Sequence, residues 1–352
     1  MLFESLRGGI GIHAVILAAG RGSRMGALSD SIPKGLIPIA GKTIIHRLLE
    51  TLSQSGVQSF HIGVGWKSEL FKEHLLELAD SYSIEIVQVS SLEKGPLHTL
   101  FSVLEDWAYD SFLICPADYI VSSSAVKQLI KSHRSGGESR VVTVSIAAES
   151  KHEFPVYIQS DGRISGLGSP LTDYDSVYNS AMLIAASPGT IGHFRAAYAS
   201  SEKTVVAAVN QMISKGMSVY AVKVTERWFD IDSIPDLLAA NDILLSEQVS
   251  PNEGCIVIPA GATIAVSREI QIPSGTLIAS GVSIIGPTFI GPACRIEQNC
   301  RVGPGVSMGQ NTKLSRETII ERSILFDSAC VDEGVCIKDA IVYGNHIIKE
   351  SE

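Results

Sequence analysis

The sequence predicts an α/β protein, a doubly wound and mostly parallel sheet followed by a parallel β-helix. Three observations predict it. Between residues 13 and 247, short apolar runs alternate with amphipathic stretches of helical length. The first of these runs, Ala14 to Leu17, breaks directly into small residues and glycines, Ala18-Ala-Gly-Arg-Gly-Ser-Arg24. From Ile272 onward an aliphatic residue recurs every six positions.

The elements follow in order. Residues 1–12 form an extension without the basic and long apolar regions of a secretory signal, so none is expected. Ala14 to Leu17 reads as a strand buried on both faces. Lys42 to Ser55 places Ile44, Ile45, Leu48, Leu49 and Leu52 on one helical face, with Gly56 as its stop signal. Val57–Val64 is a strand, Ser68–Ala79 a helix and Ile84–Val89 a strand. Gly95-Pro96 opens a helix through Glu105, Ser111–Cys115 is a strand, and Ala125–His133 is a helix. Ligands in such sheets sit at the carboxyl ends of strands, which places the glycine loop and Pro116-Ala-Asp118 at one edge.

From Val141 to Ala186 the pattern becomes strands joined by turns, including Asp161-Gly162, and predicts an antiparallel extension. Helices over Gly189–Tyr198 and Thr204–Lys215, a strand over Ser218–Val224, and a helix from about Pro235 to Glu247 with Ser233 as N-cap complete a domain over 13–247. Residues 248–254 read as a linker.

Residues 255–349 form the repeat domain. Ile272, Ile278, Ile284, Ile290, Ile296, Val302, Met308, Leu314 and Ile320 mark the hexads. Four positions after the first eight stand Thr276, Val282, Thr288, Cys294, Cys300, Val306, Thr312 and Thr318. The period resumes one residue out of step at Val331 and Ile337. Each hexad predicts one face of a triangular coil that buries its aliphatic residue only by stacking on its neighbours.

Composition excludes several classes. The 352 residues carry 28 Lys plus Arg against 37 Asp plus Glu, a net charge of -9, and no basic block. Nucleic-acid and membrane partners are therefore not expected. The six cysteines lack C-x-x-C spacing and read as small buried hydrophobes in a reducing compartment. No apolar run reaches spanning length, so a cytoplasmic protein is expected.

The glycine loop is built to hold a polyphosphate. Small side chains let backbone N–H groups approach an anion, while Arg24 and Lys34, the latter pre-set by Pro33, supply fixed cations. Two common owners of such loops fail on spacing. Met25 stands where a dinucleotide fold needs its third glycine, and Gly35 lies one residue too far from Gly41-Lys-Thr43 for a P-loop.

The pattern L-A-A-G-x-G-S-R-M followed by Pro33-Lys34 resembles the sugar-1-phosphate nucleotidyltransferase family. So do Pro38–Ile45, Glu93-Lys-Gly-Pro-Leu-His-Thr-Leu100, Ala117-Asp118 and Trp228-Phe-Asp-Ile-Asp-Ser-Ile-Pro-Asp-Leu237, a likeness spanning about residues 13–247. The hexad domain is similar to the left-handed β-helix that many members carry. The resemblance implies that Leu17, Ala18, Ala19, Gly20, Gly22, Ser23 and Gly95 bind the nucleotide, with Arg24 and Lys34 gripping the triphosphate. It also implies Mg²⁺ held by Asp118 with Asp230 or Asp232, of which Asp230 aligns better because it directly follows the Trp-x pair. An NTP and a sugar or polyol phosphate would be the substrates, and the repeat domain would assemble a homo-oligomer. The strand Tyr178-Asn179-Ser180-Ala181 matches the family's acceptor strand, but Ile164–Pro170 lacks the lysine that often contacts the sugar phosphate. Asn179 and Arg163 are the acceptor candidates.

Within the family, Glu93-Lys-Gly95 and Ala117–Val121 look most like the inositol-1-phosphate cytidylyltransferase branch. Two other classes stay open. Acyl transfer by a β-helix usually uses a coil histidine, and only His346 follows residue 250. A non-catalytic regulatory subunit would explain the absent lysine. His98 reads as structural and Trp228 as a core residue.

Overall fold

The computed structural model describes residues 12–105, 107, 110–137, 140–147, 154–226, 228–247, 255–259, 261–268, 270–271 and 274–349. Residues 1–11 of the expected extension, the expected linker 248–254 and the first hexad position, Ile272, lie outside them. The chain forms two compact units. The first comprises the described residues through Arg21, Ile32–Gly35 and Ile45–Trp228; the second comprises Gly22–Ser31, Leu36–Ile44 and the described residues from Phe229 onward.

In the first unit, nine strands form one mixed sheet: β1 (Ile12–Ala18), β2 (Val57–Val64), β3 (Ile84–Gln88), β4 (Phe112–Pro116), β5 (Val142–Ala147), β6 (Pro155–Ile158), β7 (Ile164–Leu167), β8 (Ser176–Ala186) and β9 (Val219–Lys223). Its main path runs β7-β6-β8-β4-β1-β2-β3, with β5 on β8 and β9 on β5. The stretch β4-β1-β2-β3 is parallel, as the strand–helix alternation predicts. The expected antiparallel extension is β5, β6, β7 and β8. A bulge between Ser180 and Ile184, with Met182 at φ 59°, lets β8 pair with β6 at one end and β4 at the other.

Helices α1 (Ile44–Gln54), α2 (Ser68–Leu78), α3 (Pro96–Leu104), α4 (Ser123–Ser135), α5 (Ile191–Ala199) and α6 (Val205–Ser214) connect the strands. The five apolar positions predicted for α1 are all buried. Leu97, Leu100 and Leu104 of α3 join Val15, Phe112, Val144 and Phe194 in one apolar core. Thr204 caps α6 by accepting from Ala207 N–H at 3.1 Å.

The second unit contains α7 (Ile234–Glu247) and the repeat strands. From Leu277 to Val342 three sheets stack in parallel, each strand pairing with the one three hexads on: Ser283 faces Arg301, and Arg301 faces Ile319. The hexad residues Ile278 to Ile320 and their partners Thr276 to Thr318 are all buried. At Ser307–Ile324 the pairing falls one residue short of three hexads, which is where the period slips.

Two expectations need correction. The strands Ile256–Ile258, Thr263–Ala265 and Ile270–Gln271 run antiparallel to the coil they pair with, so the repeat begins with a reversed layer. Cys330 and Cys336 occupy outward coil positions and are exposed rather than buried. A short hairpin, Pro38–Ile39 with Lys42–Thr43, packs Ala40 against Leu245 and Phe289. Asn241 of α7 accepts from Ala40 N–H at 3.0 Å and donates to the Gly305 carbonyl at 3.3 Å, tying hairpin and coil to one helix. Among the described residues no helix is long and apolar enough to cross a membrane.

Candidate active site

In the first unit the sheet register sets the site. Leu17 pairs with Pro116, and Ala117 N–H donates to the Leu17 carbonyl at 3.3 Å. The glycine loop and Asp118 therefore leave the sheet at one edge. Ala18 pairs with Val64, so the loop after β2 belongs to the same edge.

Lys34 opens a single 3₁₀ turn, Lys34–Leu36. It is only 7% exposed, and its Nζ donates to Asp118 Oδ2 at 2.8 Å. A buried ammonium needs such a partner, because desolvation alone would cost several kcal/mol. Gly35 makes the approach possible. A Cβ there would lie 2.9 Å from Phe71 Cζ and 3.3 Å from the Ala117 carbonyl oxygen. Sequence reasoning met Gly35 only as a misplaced P-loop glycine; its packing role depends on a tertiary contact.

Gly95 caps α3 at φ 85°. A Cβ there would sit 2.7 Å from the Lys203 carbonyl oxygen, which accepts from Leu97 N–H at 2.9 Å. This glycine is thus required by a close backbone approach. His98 is structural, its Nε2 paired with the Ser90 carbonyl at 2.8 Å and its ring stacked on Tyr198. Trp228 is half-buried rather than core, with its ring 5.6 Å from that of Tyr119. Cys115 on β4 carries no usable thiolate, since burial pushes its thiol up to about 12.

In the second unit, Gly22 at φ 67° starts the turn Ser23–Met25, which buries Met25 and leaves the Arg24 side chain 68% exposed. Arg24 Nη1 donates to Asp232 Oδ2. Ser233 is the N-cap of α7 as predicted. Its Oγ accepts from Asp236 N–H at 3.3 Å and donates to Asp236 Oδ2 at 2.6 Å, and that carboxylate accepts from Asp232 N–H at 3.3 Å. The cap thus fixes the backbone that carries Asp232. Carboxylate oxygens of Asp230 and Asp232 lie within 4.8 Å of each other. Hard oxygen donors this close suit a small divalent cation such as Mg²⁺.

The acceptor candidates have local partners. Asn179 is buried, and its Oδ1 accepts from Phe154 N–H at 2.8 Å, so it pins the start of β6. Arg163 donates from Nε to Asp161 Oδ2 at 2.6 Å within the β6–β7 turn.

Residues 14–171 match the MobA-like NTP transferase domain family, and residues 284–351 match the GMPPB C-terminal domain family. The chain is 26% identical to a mannose-1-phosphate guanylyltransferase catalytic subunit beta from Drosophila pseudoobscura pseudoobscura, over 82% of this chain and 73% of that one. It is also 26% identical to a UTP–glucose-1-phosphate uridylyltransferase from Synechocystis, over 82% of this chain and 80% of that one. The solved inositol-1-phosphate CTP transferase from T. maritima shares the fold, with a TM-score of 0.55 and 18% identity over 65% of this chain and 92% of that one.

Proposed function

We propose that the chain is a sugar-1-phosphate nucleotidyltransferase that joins an NTP to a hexose 1-phosphate in an Mg²⁺-dependent reaction, a reading its likeness to such enzymes supports. The phosphate oxygen of the sugar attacks the α-phosphorus, the bond from that phosphorus to the bridging β-phosphate oxygen breaks, and pyrophosphate leaves. Guanylyl- and uridylyltransferases acting on hexose 1-phosphates among the relatives favour GTP or UTP over the CTP and inositol pairing of the fold neighbour.

One observation carries the reading. Each cation expected at the triphosphate is paired with a carboxylate expected at the metal: Lys34 with Asp118, and Arg24 with Asp232. An Mg²⁺–triphosphate complex offers a partner to every member of both pairs, a cation for the carboxylates and phosphate oxygens for Lys34 and Arg24. The carboxylates would then turn to Mg²⁺ and the cations to phosphate oxygens. Asp118 with Asp230 or Asp232 would hold the ion, which would supply charge neutralisation at the α-phosphate. Arg24 and Lys34 stabilise charge on the phosphoryl oxygens, and the backbone of Ala18–Gly22 orients the nucleotide for in-line attack. The three-sided repeat fits a left-handed β-helix, which we take to assemble subunits; sedimentation of the full chain as a monomer would contradict that role.

The test is pyrophosphate release from each NTP against a panel of hexose 1-phosphates and inositol 1-phosphate, with and without chelator. Release with GTP or UTP and a hexose 1-phosphate, abolished by EDTA, is expected. Release confined to CTP with inositol 1-phosphate would overturn the substrate choice.

A further inference from the structure

Beside the glycine loop lies a contact that none of the roles above uses. The Arg21 guanidinium carbon stands 4.7 Å from the centroid of the Trp66 ring, and Lys67 Nζ lies 5.9 Å from the same ring. Trp66 also donates its backbone N–H to the Ala19 carbonyl at 3.0 Å. The preceding Gly65 allows this seat, since a Cβ there would lie 2.9 Å from the Ala19 carbonyl oxygen. The loop after β2 thus grips the residues on either side of Gly20.

Gly20 cannot order itself. It is exposed, and a Cβ at its position would meet nothing within 4 Å. A glycine facing open space has wide conformational freedom, and a loop that presents N–H groups to a polyphosphate must give that freedom up on binding. The available restraints are its neighbours: Ala19 through the hydrogen bond and Arg21 through the ring. Stacking also keeps the Arg21 charge beside the loop in a chain of net charge -9.

We propose that Trp66 is a positioning residue for the nucleoside triphosphate. Its ring holds Arg21 in the stacked position, which pre-orders the Ala19–Arg21 segment and adds a cation for the triphosphate. Pre-ordering lowers the cost of binding, so it acts on nucleotide affinity and leaves the chemical step nearly unchanged. The inference rests on the nucleotidyltransferase reading.

The test is equilibrium binding of Mg²⁺–GTP and Mg²⁺–UTP to the full chain by calorimetry, with kcat and KM measured in parallel. Trp66→Ala and Arg21→Ala should each weaken nucleotide binding about 3- to 10-fold with kcat little changed. The double variant should lose less than the sum of the two singles, because both remove the Arg21–Trp66 contact. Trp66→Phe should restore binding, whereas Arg21→Lys, which keeps the charge but loses the planar stack, should restore it only in part. Arg21 is exposed, so Arg21→Ala carries the test even if Trp66→Ala fails to fold. Unchanged affinity in Arg21→Ala, or fully additive losses in the pair, would overturn the proposal. Failure of the unaltered protein to bind either nucleotide would instead overturn the parent reading.

Discussion

Lys34 Nζ donates to Asp118 Oδ2 at 2.8 Å from a side chain that is almost wholly buried, while Asp118 keeps about a quarter of its surface exposed. The two ends of the pair therefore differ in what their removal does. Asp118→Asn takes a counter-charge from a buried ammonium and should cost on the order of 1–3 kcal/mol of stability. Lys34→Met removes the charge that needed pairing and should cost less, while abolishing pyrophosphate release as thoroughly. Urea unfolding of both variants checks the ordering; equal losses would contradict it.

Arg24 and Asp232 form the contrasting pair. With the arginine side chain 68% exposed, solvent screens the interaction, and Arg24→Ala should change stability by less than about 1 kcal/mol. Turnover should still fall by roughly 100-fold or more if the guanidinium meets charge that develops at the phosphorus. Steady-state kinetics beside thermal unfolding separates the two effects.

Gly35 bears on Lys34 through packing. Gly35→Ala should destabilise by roughly 1–3 kcal/mol, because Phe71 or the Lys34 turn must move. Activity should fall with it. Adding Phe71→Leu should recover part of both losses; no recovery in the double variant would show that the Phe71 contact is not the constraint.

A pH dependence follows from His133 on α4. Its ring is buried with Thr143 and Ser187 hydroxyls as neighbours, and burial, with Arg140 and Arg134 nearby, lowers its pKa to about 4. Between about 6.5 and 4 the unfolded chain binds a proton that the folded chain refuses, so stability rises with pH through that window. The contribution is complete above pH 6.5 and lost as pH falls toward 4, a difference of roughly 3 kcal/mol. His133→Gln should flatten that part of the stability curve; an unchanged slope would contradict the assignment.

The coil was legible because its geometry repeats with the chain. One buried aliphatic per face recurs every six residues, and even the slip before Val331 has its counterpart in the short Ser307–Ile324 step. The reversed layer at Ile256–Ile258 was not legible, since side-chain alternation reads the same in parallel and antiparallel pairing. Among the candidate site residues, Arg24 and Lys34 were legible as cations beside a glycine loop, whereas Asp118 and Asp230 or Asp232 entered only through the resemblance to family motifs. Gly35, Gly65 and Trp66 were not legible, because what each one touches lies far away in sequence: Phe71 and Ala117 for Gly35, Ala19 and Leu92 for Gly65, Arg21 for Trp66.

The most direct test of the central claim is pyrophosphate release by the purified full chain with GTP or UTP and a hexose 1-phosphate, alongside Asp118→Asn and the double variant Asp230→Asn/Asp232→Asn. The account predicts release that needs both substrates and Mg²⁺ and is lost in both variants. Release that persists in both variants, or none from any NTP with any sugar phosphate, would contradict it.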